Sequence, residues 1–310
     1  MANQLRHSMA VLGLCTAVML GGPALAEPND GVEGLNEEQQ AFAGRFLQFQ
    51  DDMDEKFFGR VAEINGGNSS DVKQTISDVR ETGEEKVADF YVRVARGDVV
   101  EKYGRLITQH YEPVSDEFQR PQIFERYYGI DIHAKSPLMG QVHAALMLAY
   151  YPDGTSVIGG TLNLLKGAAQ EEDMEYVKNA LDVVFEKHGV DSTVYRQRLC
   201  DNTELAHDER GYGRKVACVG GTFFARGDMM AVTEENFLFL TEFYETFIDA
   251  YLTTLERRKD DPFTEEDIAL QDAMRKNWFE DQMFGDAYSS GGIVPYEAWG
   301  PAFLPPLVKF

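Results

Sequence analysis

Residues 129 to 163 read GIDIHAKSPLMGQVHAALMLAYYPDGTSVIGGTLN, and two runs within and just beyond this stretch decide the fold. His143 to Tyr151 is apolar and aromatic, Ser156 to Leu165 is apolar with β-branched residues, and Pro152-Asp153-Gly154 lies between them. Proline presets φ, aspartate hydrogen-bonds nearby backbone and glycine accepts positive φ, so this tripeptide is a turn with a mechanism. Two strands joined so closely pair antiparallel. Residues equally far from the turn face each other, which brings His143 and Asn163 together at the far end of the hairpin.

Working toward the N-terminus, Val87 to Val94 and Asp98 to Ile107 carry strand patterns, with a proline-containing loop expected between Ile107 and His143. Residues 66 to 84 are polar and show no clear period. Before them Phe42, Phe46, Phe49, Met53, Phe57, Val61 and Ile64 recur at three- and four-residue steps and stop at Gly66-Gly67. The spacing predicts an amphipathic helix from Glu37 to Asn65 covering one face of the sheet. Residues 1 to 26 combine a basic start (Arg6, His7), an apolar run from Met9 to Leu20 and Ala24-Leu25-Ala26, the order of a secretory signal peptide. The expected mature chain is one domain, 27–310, exported and soluble in the periplasm or outside the cell, with no membrane insertion.

Toward the C-terminus, Glu171 to His188 has helical spacing with Gly189 as its cap. A short helix is expected over Val194 to Leu199, a buried strand over Lys215 to Phe224 and a long helix after Thr233. Another helix begins at the Thr264 and Asp267 capping box and runs to about Lys276. The tail from Trp278 is expected to be strand and loop. Hairpins with helices in blocks, rather than alternating βαβ units, indicate an α+β fold with a largely antiparallel sheet.

With 29 Lys and Arg against 52 Asp and Glu, the chain carries a net charge of −23. Such a surface repels nucleic acid and anionic membranes. Cys200 and Cys218 are the cysteines beyond residue 26, and an exported chain permits either a disulfide or two buried thiols. Neither HExxH nor a Cys/His zinc pattern occurs, so no metal is expected. Gly159-Gly160 and Gly220-Gly221 do not lead into a helix carrying Lys-Ser/Thr; they mark close approach of backbone to a ligand or another strand. Asn68-Ser69-Ser70 matches a glycosylation acceptor.

The spacing of His133, Pro137 and His143, followed by an apolar strand and Gly159, Gly160 and Asn163, resembles the oxygen-dependent coproporphyrinogen III oxidases, whose pattern ends in a GGG-x-D turn. Further segments are similar in the same order: GDVVEKYGRL from Gly97, Arg120-Pro121, Cys200-Asp201, His207, VGGTFF from Val219, YLTTLERRK from Tyr251 and PPLVKF from Pro305. The resemblance implies a broad antiparallel sheet flanked by helices on both faces and a homodimer. It also implies a tetrapyrrole ligand and a reaction with molecular oxygen as co-substrate and no cofactor, in which two propionates become vinyl groups on the route to haem. His143 and Asn163 then stand at the catalytic positions, with His133, Met147, Gly159 and Gly160 at substrate-binding ones.

Several positions depart from the family. Met147 and Ala287 stand where it has arginines, Ala225 and Arg226 where it has an acidic pair, and Asn163 where it has a carboxylate. Arginine holds propionates bidentately, and an amide neither takes a proton nor supplies negative charge. The expectation is a tetrapyrrole-binding relative with little or no oxidase activity. An active oxidase, or a homodimeric scaffold with no tetrapyrrole, are the alternatives. Met139, Met147, Met229, Met230 and Phe223 read either as the lining of a pocket for a planar ligand or as plain core. The cavity is expected between the sheet and its covering helices, beside His133, His143, Asn163 and the Gly159-Gly160 turn.

Overall fold

A computed structural model of the chain describes residues 31–79, 86–111, 122–224, 229–286 and 293–310. The signal-peptide reading, Arg120-Pro121, Ala225, Arg226, Ala287 and the side chain of His207 lie outside these described residues.

Helix α1 (Glu37–Ile64) opens at a capping box in which the Asn36 side chain accepts from the Gln39 N–H and the Gln39 side chain accepts from the Asn36 N–H. Then follow β1 (Ser70–Val79), β2 (Lys86–Arg96), β3 (Val100–His110), β4 (Phe124–Ala134), β5 (Gln141–Tyr150) and β6 (Ser156–Leu165). Helices α2 (Glu171–His188) and α3 (Ser192–Arg210) lead to a two-residue strand, β7 (Gly221–Thr222). Helices α4 (Glu234–Arg258) and α5 (Glu265–Glu280), a π-helical turn (Asp281–Gly285) and α6 (Tyr296–Phe303) complete the order. All seven strands form one antiparallel sheet in chain order. The fold is α+β, as the hairpin pattern predicts.

Successive side chains on a strand point to opposite faces, and the sheet sorts its residues accordingly. On the first face Val142, Ala144, Leu146 and Leu148 of β5 join Tyr128, Ile130 and Ile132 of β4 in one core with α1, α2 and α4. On the second, Ala145, Met147 and Ala149 pack with Leu106, Tyr127, Trp299, Ala302 and Phe303 under α6, and Leu165 meets Met274 and Trp278 of α5. Both faces being covered, every residue of β4 and β5 is buried.

Several expectations need correction, and one stretch that the sequence left open is assigned. The proline-containing loop expected before His143 contains β4, paired to β3 and β5 along most of its length. Residues 66 to 84 contain the edge strand β1, laddered to β2 from Ser70 to Val79. The segment Lys215 to Phe224 runs beside β6, yet its ladder is two residues long, because Cys218 takes φ +57° and breaks the extended path. The tail is helical: Trp278 lies within α5, and α6 starts at the N-cap Pro295. Helix α3 is also longer than the Val194 to Leu199 expected. Cys200 and Cys218 are joined as a disulfide.

Gly159 and Gly160 sit inside β6 opposite Met147 and Leu146, not in a turn. A Cβ on Gly159 would lie 2.3 Å from the Phe223 carbonyl oxygen and one on Gly160 1.9 Å from that of Ala145. The glycines therefore admit neighbouring backbone, the second of the two roles expected of them.

Candidate functional site

His143 faces Asn163 across β5 and β6, as the hairpin register requires. The same row continues through Asp131 on β4 to Gly104 on β3. One step along, Lys102 of β3 faces His133 of β4, and Gln141 lies two residues before His143. Six polar side chains from four adjacent strands thus form a block on the second face, and all six are buried.

Bonds within the block centre on Asp131, which has no solvent exposure. Its Oδ1 lies 2.6 Å from His143 Nδ1, and its Oδ2 accepts from Gln141 Nε2 at 3.1 Å. His133 Nε2 lies 3.7 Å from Oδ2, beyond hydrogen-bond reach. Lys102 donates its ammonium to the Leu304 carbonyl at the end of α6. Four buried atoms of the block have no hydrogen-bond partner among the described residues: both ring nitrogens of His133, Gln141 Oε1 and Asn163 Nδ2. Above them, Trp299 Nε1 is unpaired as well.

Burial sets the protonation states. It pushes the Asp131 carboxyl well above the ordinary carboxylate range, against the attraction of Lys102 and Arg214. It pushes the His143 imidazole well down, with Arg214 adding repulsion, and His133 likewise, with Lys102 and Arg275 adding theirs. At 2.6 Å Asp131 and His143 are close enough for an ion pair, yet burial disfavours separated charges. Burial therefore favours the uncharged pair, in which the protonated Asp131 carboxyl donates through Oδ1 to His143 Nδ1 and the imidazole carries its own proton on Nε2. Burial also lowers the Lys102 ammonium to about 7.

The lid over this block is aromatic. The His143 ring lies 4.9 Å from that of Trp278 and 5.5 Å, edge to face, from that of Phe303. Trp278 Nε1 donates to the Phe303 carbonyl at 2.9 Å, tying α5 to α6. A Cβ on Gly104 would lie 1.9 Å from the Ala302 carbonyl oxygen, so α6 rests directly on β3. Near this lid Arg214 pairs with Asp281 at 2.7 Å, and Arg275 with Glu101 at 2.5 Å.

Met147 lies two rows from His143 on the same face, opposite Tyr127 and Gly159. The other methionines proposed as a pocket are divided: Met139 and Phe223 lie in the first-face core, against which Met230 packs, whereas Met147 and Met229 belong to the second. They are core. An open groove of about 600 Å³ between α1 and α4 lies on the first face, away from His143, and its cations Arg45 and Lys56 are paired with Glu234 and Glu245.

Sequence reasoning brought His143, Asn163 and His133 to one site and missed Asp131, Lys102 and Gln141. Asp131 and Lys102 sit in segments already singled out, GIDIH and GDVVEKYGRL. The available signal was an acid two residues before His133, which on a strand shares its face. A family model described as coproporphyrinogen III oxidase matches residues 55–294.

Proposed function

Because the chain belongs to the coproporphyrinogen III oxidase family, we propose that its second sheet face takes up a tetrapyrrole and that it does so with little or no oxidative decarboxylation. The observation that carries this reading is the block of buried, unpaired polar atoms beside His143. Each such atom left without a partner costs about 1–3 kcal/mol, and buried polar groups are otherwise satisfied in folded proteins. A tetrapyrrole offers matching chemistry, with N–H donors at its centre and carboxylates at its rim. Lys102, whose ammonium burial lowers to about 7, is the cation within the block, while Arg214 and Arg275 beside it are paired with carboxylates.

The absence of turnover is argued from the substitutions. Met147 gives the second face an apolar thioether where the family holds a propionate with arginine, and Asn163 gives an amide where it holds a carboxylate. Each missing ion pair weakens binding by about 2–5 kcal/mol. In this reading residues 1–26 direct export and the mature chain works as a homodimer outside the cytoplasm. Among the described residues no helix is long and apolar enough to cross a membrane.

The test is a titration of the mature protein with haem, coproporphyrin III, protoporphyrin IX and, under anaerobic conditions, coproporphyrinogen III. The two tryptophans of the chain, Trp278 and Trp299, both lie over the site, so saturable quenching of their fluorescence is expected, with a Soret shift for the porphyrins. No response to any of the four would remove the tetrapyrrole and leave a scaffold. Formation of protoporphyrinogen at the rate of an authentic oxidase would overturn the loss of activity.

A further inference from the structure

We infer that Cys218 is a positioning residue of this site: its bridge to Cys200 holds a bulge at the edge of the sheet and so keeps the outward flank of the Asn163 amide open to the ligand. The inference rests on the tetrapyrrole reading above and names the device that shapes the β6 side of that site.

Asn163 has His143 beside it on β5, and along its other side runs the segment that leads through β7. Two registers govern that segment. Leu165 bridges Val216 and the Leu164 carbonyl accepts from the Ala217 N–H at 2.8 Å, whereas Leu162 pairs with Gly221 and Thr161 with Thr222. Between these pairings β6 has one residue, Asn163, and the segment has three, Cys218, Val219 and Gly220. That is a bulge, the device by which a sheet re-aims a side chain beside a site.

Without the bulge, the register through Val216 and Ala217 would bring Cys218 directly opposite Asn163. Residues opposite each other in a ladder share a face, with Cβ atoms about 4.5–5.5 Å apart, so the Cys218 sulfur would stand on the second face against the amide. Instead Cys218 takes φ +57°, a conformation disfavoured for any residue with a Cβ. What holds it there is the bond to Cys200 on α3. Helix α3 lies toward the first face. Its Tyr195 stacks on Phe223 of the first-face core at 4.3 Å, and its Arg196 pairs with Asp182 of α2 and donates to the Val219 carbonyl at 3.2 Å.

The bridge thus draws the Cys218 side chain off the row. The register through Gly221 puts Gly220 across from Asn163 instead, and Gly220 admits the Leu162 carbonyl, whose oxygen lies 1.9 Å from where a Cβ would be. Asn163 Nδ2 stays buried and unpaired, a donor kept for the ligand. A dithiol reductant passes two electrons and two protons to the bridge and closes to its own disulfide, leaving Cys200 and Cys218 as thiols. Cys218 then relaxes to the extended conformation, the bulge closes and the thiol enters the row beside Asn163.

The experiment measures coproporphyrin III binding by tryptophan quenching in the oxidised parent, the parent reduced with dithiothreitol, Cys200→Ser/Cys218→Ser and Cys200→Ser/Cys218→Gly. Reduction and the double serine change are each expected to weaken binding about tenfold, the scale of one buried hydrogen bond. Cys200→Ser/Cys218→Gly also lacks the bridge, yet it should bind within about threefold of the parent, because glycine adopts positive φ freely and places no side chain beside Asn163. A bridge that serves only as a staple predicts the reverse order, since glycine gives the unfolded chain more freedom than serine. Equal loss in both variants therefore overturns the inference. Binding at parent strength by the reduced protein and the serine variant overturns it as well and leaves the tetrapyrrole reading intact, while failure of the oxidised parent to bind removes both.

Independently of any variant's folding, hydrogen exchange in the parent reports the bulge. The Ala217-to-Leu164 and Phe223-to-Gly160 hydrogen bonds fix the two registers, and closing the bulge breaks one of them. Reduction should expose the Ala217 or the Phe223 amide to exchange while the β5–β6 amides stay protected; protection of both in the reduced protein would contradict the inference.

Discussion

At the scale of single residues, the charged groups buried against the sheet make the clearest demands. Asp54 of α1 reaches the first face, where it accepts from Arg105 Nε at 3.1 Å and Nη2 at 2.6 Å and from the Tyr128 hydroxyl at 2.9 Å. Asp54→Ala would strand a buried guanidinium, and the expected loss is about 2–4 kcal/mol in urea unfolding. Lys102 has the opposite signature. Burial brings its ammonium from 10.5 to about 7, so between those values the unfolded chain binds a proton that the folded chain does not, and stability rises with pH. Replacing it, Lys102→Met, should flatten the rise seen between about pH 7 and pH 9.5. The upper limit avoids Tyr128 and Tyr244, which burial shifts upward and whose contribution is lost as pH climbs further. The Asp131–His143 contact escaped sequence reading for a simple reason. Twelve residues separate the two, and only the register of β4 against β5, fixed by the sheet as a whole, puts them side by side.

At the scale of elements, what was legible is what carries a local period or a local stop. Helix α1, the β5–β6 hairpin and the Thr264 capping box of α5 follow from spacing and capping alone. Strand β4 did not, because Glu125, Arg126, Asp131 and His133 break its apolar pattern, although all are buried by partners supplied from elsewhere in the fold. Strand β1 did not because it is an edge, with Val72 largely exposed, so no apolar face marks it. Helix α6 has only eight residues with a proline among them, and its place is set by contact with Gly104. Gly104→Ala would drive a methyl group into the Ala302 carbonyl and lift α6 from β3. The expected result is a lower melting temperature and a red shift in the emission of Trp278 and Trp299. His188→Ala, by contrast, removes a bond to Glu242 at the end of α2, away from the block. It should leave porphyrin quenching unchanged where His143→Ala abolishes it.

At the scale of the molecule, the Cys200–Cys218 bridge ties α3 to the segment that runs beside β6. Closing a loop of 18 residues contributes about 3 kcal/mol, so a reducing agent should lower the midpoint of thermal unfolding by a few degrees. The sequence allowed the bridge without requiring it, since compartment and pairing geometry both lie beyond a count of cysteines.

The chain-order sheet bears on how this protein comes to be folded. Each strand from β2 to β6 finds its partner already made by the preceding one, so the sheet grows by short loop closures as the chain passes from its N-terminus onward. Of the first-face helices α1 comes before every strand, whereas α2 follows six of them and α4 follows seven. The cover of the second face comes last of all, since α6 ends seven residues before the C-terminus. A chain arrested a few residues short of Tyr296 would hold its strands and α5 yet lack the Phe303 and Leu304 contacts over His143 and Lys102. The terminal twentieth of the polypeptide is thus what completes the cover over the polar block of an assembled sheet.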